Sequence, residues 1–227
     1  MIHYTPADAT QKFKEISDAI SMLKKHGFDL NLSDELKKTL DPNYLFDGDD
    51  AIFKRIVNDV NCYFEYGCGK STEYMMRHST AKIFSVDTSR EWATKMQSIA
   101  DSINPQRASI QWIDVGPVAD WGNPINFNNR YNYIDYANWF WTIGHQPDLV
   151  LIDGRFRVCC FLTTLKHANV GTKVIFDDYA DRPFYHVAED FLPIMDKCGR
   201  QALFEVTEQA KSMVTDEIIA TFRNVIQ

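Results

Sequence analysis

From about residue 60 onward, short apolar runs alternate with stretches in which apolar positions recur every three to four residues. The first kind suits strands buried on both faces and the second suits helices laid over them, so the alternation predicts a parallel sheet with crossover helices. The runs predict strands at about 61–66, 82–87, 109–114, 148–153 and 172–177, with helices near 70–78, 89–101, 157–168 and 183–197. Leu203-Phe204-Glu205-Val206-Thr207 offers a sixth strand, whereas Ile218, Ile219, Phe222, Val225 and Ile226 have helical spacing, which leaves a seventh strand undecided. Ahead of this core the chain reads as helical. Thr5-Pro6 opens a helix that carries Phe13, Ile16, Ile20 and Leu23 on one face up to Gly27. A second helix is expected from Ser33 to before Asp41-Pro42, and a third from about Asp50 to Asp59. The fold class is therefore α/β, a Rossmann-like doubly wound and mostly parallel sheet with helices on both faces. Residues 1–59 form an N-terminal helical cap on it, residues 60–227 form the core, and the whole makes one domain.

Composition narrows the function classes. The 227 residues are 45% hydrophobic and 24% charged, ordinary for a globule with a full core. The net charge of −7 supplies no basic footprint for a phosphate backbone, so a small-molecule partner is expected and nucleic acid is not. Five cysteines, Cys62, Cys68, Cys159, Cys160 and Cys198, form no C-x-x-C pair and no secreted disulfide framework. Asp8, Lys12, Lys14 and Glu15 stand where a signal peptide needs an apolar run, and no uncharged apolar stretch nears the ~18 residues of a membrane span. A cytoplasmic protein without a membrane anchor is expected; self-association into a homo-oligomer is left open.

Candidate chemistry begins at Tyr63-Phe64-Glu65-Tyr66-Gly67-Cys68-Gly69-Lys70-Ser71-Thr72, a strand running into a glycine turn and then a helix. Gly67 and Gly69 let the main chain approach a nucleotide-like ligand where a side chain would collide. A phosphate-cradling P-loop needs another glycine five positions before Gly69-Lys70-Ser71, and that position is Phe64. A dinucleotide fingerprint wants glycine or alanine where the chain has Thr72, which weakens NAD and FAD. What stands is an acid, Glu65, closing the strand in an E-x-G-x-G-x-S pattern. Ile83-Phe84-Ser85-Val86-Asp87 is a second apolar strand ending in a carboxylate, about twenty residues on, where such folds bind ribose hydroxyls. The plainer role for Asp87 is to cap the helix beginning near Ser89. Cys68 reads as a small side chain tolerated in the turn, since no histidine is near it in sequence to activate the thiol.

Two further strands end in acid: Asp148-Leu149-Val150-Leu151-Ile152-Asp153-Gly154-Arg155-Phe156-Arg157, and Val174-Ile175-Phe176-Asp177-Asp178-Tyr179. Ligands of open α/β sheets bind outside the carboxyl ends of the strands, so Asp153, Asp177 and Asp178 are expected at one rim. Three carboxylates crowded there repel one another unless something offsets the charge. A divalent metal such as Mg²⁺ held by all three is one solution. Internal pairing with Arg155, Arg157 or Arg182, leaving one Asp as general base, is the other. Between strands three and four, residues 116–147 form an aromatic insertion with Trp121, Phe127, Tyr131, Tyr133, Tyr136, Trp139, Phe140 and Trp141. It reads equally as a lid or acceptor-pocket wall and as a short helix from about Tyr131 to Ile143 burying its aromatics against the N-terminal cap.

The Glu65-to-Ser71 pattern resembles motif I of class I S-adenosylmethionine-dependent methyltransferases. Residues 60–208 resemble a little-characterised branch of that superfamily in three motifs. These are Asp-Val-Gly-Pro with a following Trp-Gly-x-Pro (114–124), Asp-Gly-Arg-Phe-Arg-Val (153–158) and Asp-Asp-Tyr-x-x-Arg-Pro-x-Tyr (177–185). The resemblance implies an S-adenosylmethionine pocket from Glu65, Tyr66, Gly67, Cys68, Gly69, Ser71, Thr72 and Asp87, with Asp114 reading adenine and Asp153 beside the methionine moiety. It implies catalysis by Asp153, Arg155, Asp177 and Asp178 on a small-molecule acceptor. The acid rim also resembles Mg²⁺-dependent O-methyltransferases. Asp-Gly-Arg replaces their histidine-bearing motif, with His186 a weak substitute. The expected activity is methyl transfer to an oxygen, or less readily a nitrogen, of a small hydroxylated metabolite or sugar. A catalytically inactive cofactor-binding module in a larger assembly, and a P-loop-like phosphotransferase using Asp153 as its second acid, are the competing readings.

Overall fold

Each of the five apolar runs becomes a parallel strand: β1 Cys62–Tyr66, β2 Lys82–Asp87, β3 Ala108–Trp112, β4 Leu149–Ile152 and β5 Lys173–Phe176. The computed structural model describes residues 15–16, 18–20, 22–23, 25–27, 44–46 and 49–226. The last two strands, β6 Asp196–Cys198 and β7 Gln201–Glu205, form a hairpin, and the sheet order is β3-β2-β1-β4-β5-β7-β6. β7 runs antiparallel between β5 and β6. In β1 and β4 the side chains on both faces are buried apart from half-buried Cys62, which is why these strands read as unbroken apolar runs and not as alternation.

The order reverses between β1 and β4. From β1 the chain steps outward through α2 Lys70–His78 and α3 Arg90–Ile103 to β3, then returns to β4 and steps the other way through α5 Arg157–His167. Right-handed crossovers moving in opposite directions put their helices on opposite faces, with a crevice at the reversal. On the face of α5, the helix α4 Tyr133–Asn138 and the terminal helices α6 Glu208–Met213 and α7 Asp216–Phe222 pack beside it. The chain divides into two compact units, Met1–Gly48 and Asp49–Gln227. In the first, the described residues between 15 and 25 are helical, with a turn at His26 and Gly27. The start of that expected helix and the whole of the second expected one lie outside the described residues. The third, α1 Ala51–Ile56, continues into a 3₁₀ turn to Asp59 within the second unit.

Three expectations change. The helix predicted over 183–197 is a 3₁₀ helix, Pro183–Asp190; Pro193 follows it and residues 196–198 become β6. A three-residue strand is too short to show period-two alternation. The strand predicted at 203–207 is β7, begun two residues earlier, so the seventh strand left undecided is present and antiparallel. The aromatic insertion does form a helix near 131–143, as 3₁₀, α and 3₁₀ turns, but Tyr133, Tyr136 and Phe140 bury themselves against the sheet and the start of α5. Phe140 stacks on Phe64 at 4.8 Å and meets Tyr66 edge-on at 4.7 Å, while Tyr133 meets Phe156 at 4.4 Å. Trp121 and Tyr131, earlier in the insertion, stay exposed. No helix among the described residues is long and apolar enough to cross a membrane.

Candidate functional site

The glycine turn sits at the crevice. Gly67 has φ +91°, and a Cβ added there would lie 2.6 Å from the Cα of Gly154. Gly154 faces the same constraint, since its own Cβ would meet the Tyr136 hydroxyl and the Gly67 amide. The two glycines therefore lock the ends of β1 and β4 together, and the Gly67 amide donates to Val86 O at 2.8 Å, which adds β2. Gly69 differs. Its backbone is extended, and an added Cβ would meet nothing nearer than Trp92 Nε1 at 3.9 Å. The protein itself does not require glycine there, so the open space beside it is room for something else.

Glu65 is completely buried and points into the protein. Its carboxylate accepts from the hydroxyls of Ser71, Thr72, Ser85 at 2.7 Å and Tyr63 at 2.9 Å. Burial raises its pKa, and these four donors pull it back in part. Four of the residues expected to line a cofactor pocket thus have structural side chains. Glu65, Ser71 and Thr72 tie the turn to the first turn of α2, and the Tyr66 hydroxyl donates to Ala137 O at 2.7 Å inside the core. The reason is local: the first turn of a helix has orphan amides, and Thr72 Oγ1 accepts the Gly69 amide at 2.8 Å while donating to Glu65. Such a carboxylate-hydroxyl cluster leaves no periodic signal in sequence.

Asp87 ends β2 beside the turn. One oxygen accepts the Cys68 amide at 3.1 Å and its thiol at 3.5 Å; the other accepts the Ser89 amide at 2.7 Å. Ser89, not Asp87, caps α3 through the Trp92 amide. Asp87 is 8% exposed, and burial raises its pKa against these hydrogen bonds. Burial and the neighbouring Asp87 and Glu65 carboxylates also push the Cys68 thiol far up, so Cys68 is no nucleophile. Trp92, unmarked in the sequence, closes the far side of the turn by donating from Nε1 to Cys68 O. Asp114 is exposed and holds its own loop by accepting the Gly116 amide at 2.9 Å.

At the other rim the three acids do converge, with ligating oxygens of Asp153, Asp177 and Asp178 all within 4.8 Å of one another. Arginines have filled the gap between them. Arg157, 2% exposed on its side chain, donates to Asp153 Oδ1 at 3.1 Å and pairs with Asp178 Oδ2 at 3.1 Å. It also reaches Gly154 O and Asp177 O at 3.0 and 2.6 Å. Asp178 takes two more guanidiniums, Arg182 at 2.7 Å and Arg200 at 2.9 Å. Asp177 accepts from Gln201 Nε2 at 3.0 Å. Burial would lower the pKa of Arg157, and the acids around it, Asp153 foremost, outweigh burial and raise it. Asp153 is raised well above the usual carboxylate range by burial and then by Asp177, with Arg157 opposing.

Asp178 carries three guanidiniums, one of them shared with Asp153, and Asp177 is held by Gln201, so this donor set does not fit a resident Mg²⁺: a divalent ion would have to expel arginines that are hydrogen-bonded as well as paired. Internal pairing is the solution adopted. Arg200 and Gln201, in the turn before and at the start of β7, carry no mark as site residues in the sequence, because the hairpin that brings them to the rim begins with the three-residue strand β6. Arg155 does not pair with the acids; its Nη1 donates to Asn123 Oδ1 at 2.7 Å. His186 is not poised as a base, with Nε2 within 3.2 Å of Tyr179 O and the ring against that tyrosine. The side chain of Asp153 remains 32% exposed, the most accessible of the three acids.

No protein-family model and no curated protein matches the sequence. Among solved structures, a methyltransferase-like protein from Silicibacter pomeroyi is 31% identical, over 76% of this chain and 92% of that one, with a TM-score of 0.66. The O-methyltransferase from Bacillus cereus, solved with S-adenosylhomocysteine, shares the fold at 15% identity over 87% of this chain and 99% of that one, TM-score 0.50. With that likeness and a β3-β2-β1-β4-β5-β7-β6 sheet whose glycine turn lies at the β1–β4 reversal, the chain belongs to the class I S-adenosylmethionine-dependent methyltransferase superfamily.

Proposed function

We propose that this protein transfers a methyl group from S-adenosylmethionine to an oxygen, or less readily a nitrogen, of a small hydroxylated acceptor. The observation that carries this reading is the glycine turn at the β1–β4 reversal, where Cys68 bonds Asp87, Gly67 abuts the Asp153–Gly154 backbone and Gly69 is glycine without a packing reason. The cofactor supplies a methyl group on a sulfonium, which an attacking lone pair displaces while the S–C bonding pair stays on sulfur. The chain has to align that attack and take up a proton. Asp87, at the end of β2 beside the turn, is the carboxylate fitted to accept a ribose hydroxyl. Asp153 is the group fitted to take the acceptor's proton as the new O–C bond forms: its Oδ1 is held by Arg157, its side chain is 32% exposed, and burial with Asp177 makes it more basic than an ordinary carboxylate. Asp177 through its backbone oxygen and Asp178 through its carboxylate hold Arg157, which holds Asp153, and on this reading they position it without touching the acceptor.

Calorimetric titration tests the donor. S-adenosylhomocysteine is expected to bind one to one, with no heat from ATP or NAD; the reverse pattern would overturn the proposal in favour of a phosphotransferase.

A further inference from the structure

The segment 117–125 is a tight hairpin. Val118 pairs with Pro124 in an antiparallel bridge, the Ala119 amide donates to Asn123 O at 2.8 Å, and the Ile125 amide donates to Pro117 O at 3.0 Å. At its tip Trp121 and Gly122 have φ of +61° and +71°, successive left-handed residues of the kind a type I′ turn needs. A bulky aromatic is a poor choice for the first of these, and Trp121 is nonetheless there and 89% exposed.

Two side chains fasten the hairpin, and they come from opposite sides of the glycine turn. Thr88, just after β2, donates from Oγ1 to Gly122 O at 2.8 Å; Arg155, just after β4, donates to Asn123 Oδ1 at 2.7 Å. In the sheet β1 lies between β2 and β4, so the two anchors straddle the end of β1, roughly 10 Å apart at two strand spacings. Both anchors hold the same tip, residues 122–123, so the tip stands at the rim where the β1, β2 and β4 ends meet. Its contact with the β2 side is close: a Cβ on Gly122 would meet Thr88 Oγ1 and would stand 3.9 Å from Asp87 Oδ1. The Arg155 anchor rests on one side-chain hydrogen bond to a neutral amide, and the Arg155 Nε is buried without a partner.

We propose that residues 117–125 are a strap that closes over bound S-adenosylmethionine, with Arg155–Asn123 as a releasable latch that sets how long the cofactor stays. This rests on the methyltransferase reading above. The strap opens on the Arg155 side, pivots on Thr88–Gly122, and recloses to exclude water from the adenosine end of the crevice.

Stopped-flow displacement of S-adenosylhomocysteine tests it. Asn123→Ala is expected to raise the dissociation rate about tenfold, the effect of losing one hydrogen bond to a charged donor, and Thr88→Val, a second variant, to raise it by a similar factor. In the wild type, ligand should slow hydrogen exchange at the Ala119 and Ile125 amides. Unchanged dissociation in both variants, or tighter binding by Asn123→Ala, overturns the strap while leaving the donor assignment standing. A wild type that does not bind the ligand overturns both.

Discussion

Gly67 and Gly69 look alike in the sequence and differ in what they do. Gly67 is glycine because its φ is positive and the Gly154 backbone is 2.6 Å from where a Cβ would sit; Gly69 has neither constraint. Gly67→Ala should therefore lower stability by at least about 2 kcal/mol, since it adds left-handed strain to a backbone clash. Gly69→Ala should unfold within about 1 kcal/mol of wild type in urea yet bind S-adenosylhomocysteine more weakly. Equal affinity in the Gly69→Ala protein would mean the open space is not the cofactor's. Glu65 makes a second residue-scale case. Its position in the motif suggested ligand contact, but four hydroxyls surround it inside the protein. Glu65→Ala would strand these donors, and a loss of about 3 kcal/mol or more is expected in denaturant melts.

At the scale of elements, the ends of β4, β5 and β7 share one ion-pair network, centred on a residue of α5. Arg157 is the member with contacts to all three acids or their backbones. Removing one partner of a buried pair leaves the others uncompensated, so Arg157→Met should cost about 3–5 kcal/mol. Because arginines and Gln201 already hold the acids, millimolar Mg²⁺ should leave the melting temperature of the wild type where it is, and EDTA should not lower its methyl transfer. A stoichiometric Mg²⁺ titration would show that the arginines give way. The network also explains why the sequence left metal and arginine pairing both open: the acids were plain at their strand ends, while the choice depended on Arg200 and Gln201, brought alongside by a hairpin whose first strand is three residues long.

For the whole molecule, the buried carboxylates set how stability varies with pH. Asp177 has a raised pKa in the folded state, from burial and then from Asp178, so the folded chain holds its proton to higher pH than the unfolded chain does. Stability should accordingly fall as pH rises from about 4, the unfolded value, through the folded one. Asp177→Asn keeps an oxygen for Gln201 and removes the charge, so it should gain on wild type at pH 8 and lose that gain near pH 4; a difference that does not vary with pH would count against it. The same scale divides what was legible from what was not. Apolar runs and helical periods determined the five parallel strands, most of the helices and the glycine turn at the reversal, because burying a continuous strand and one face of a helix is a local demand on residue type. The inward turn of Glu65, the arginine pairing of the acid rim, the antiparallel β7 and the anchoring of the 117–125 hairpin by Thr88 and Arg155 were decided only in three dimensions. Each depends on contacts between residues far apart in the chain, and the polar residues making them suit a solvent-facing position just as well, so nothing in their spacing marks them.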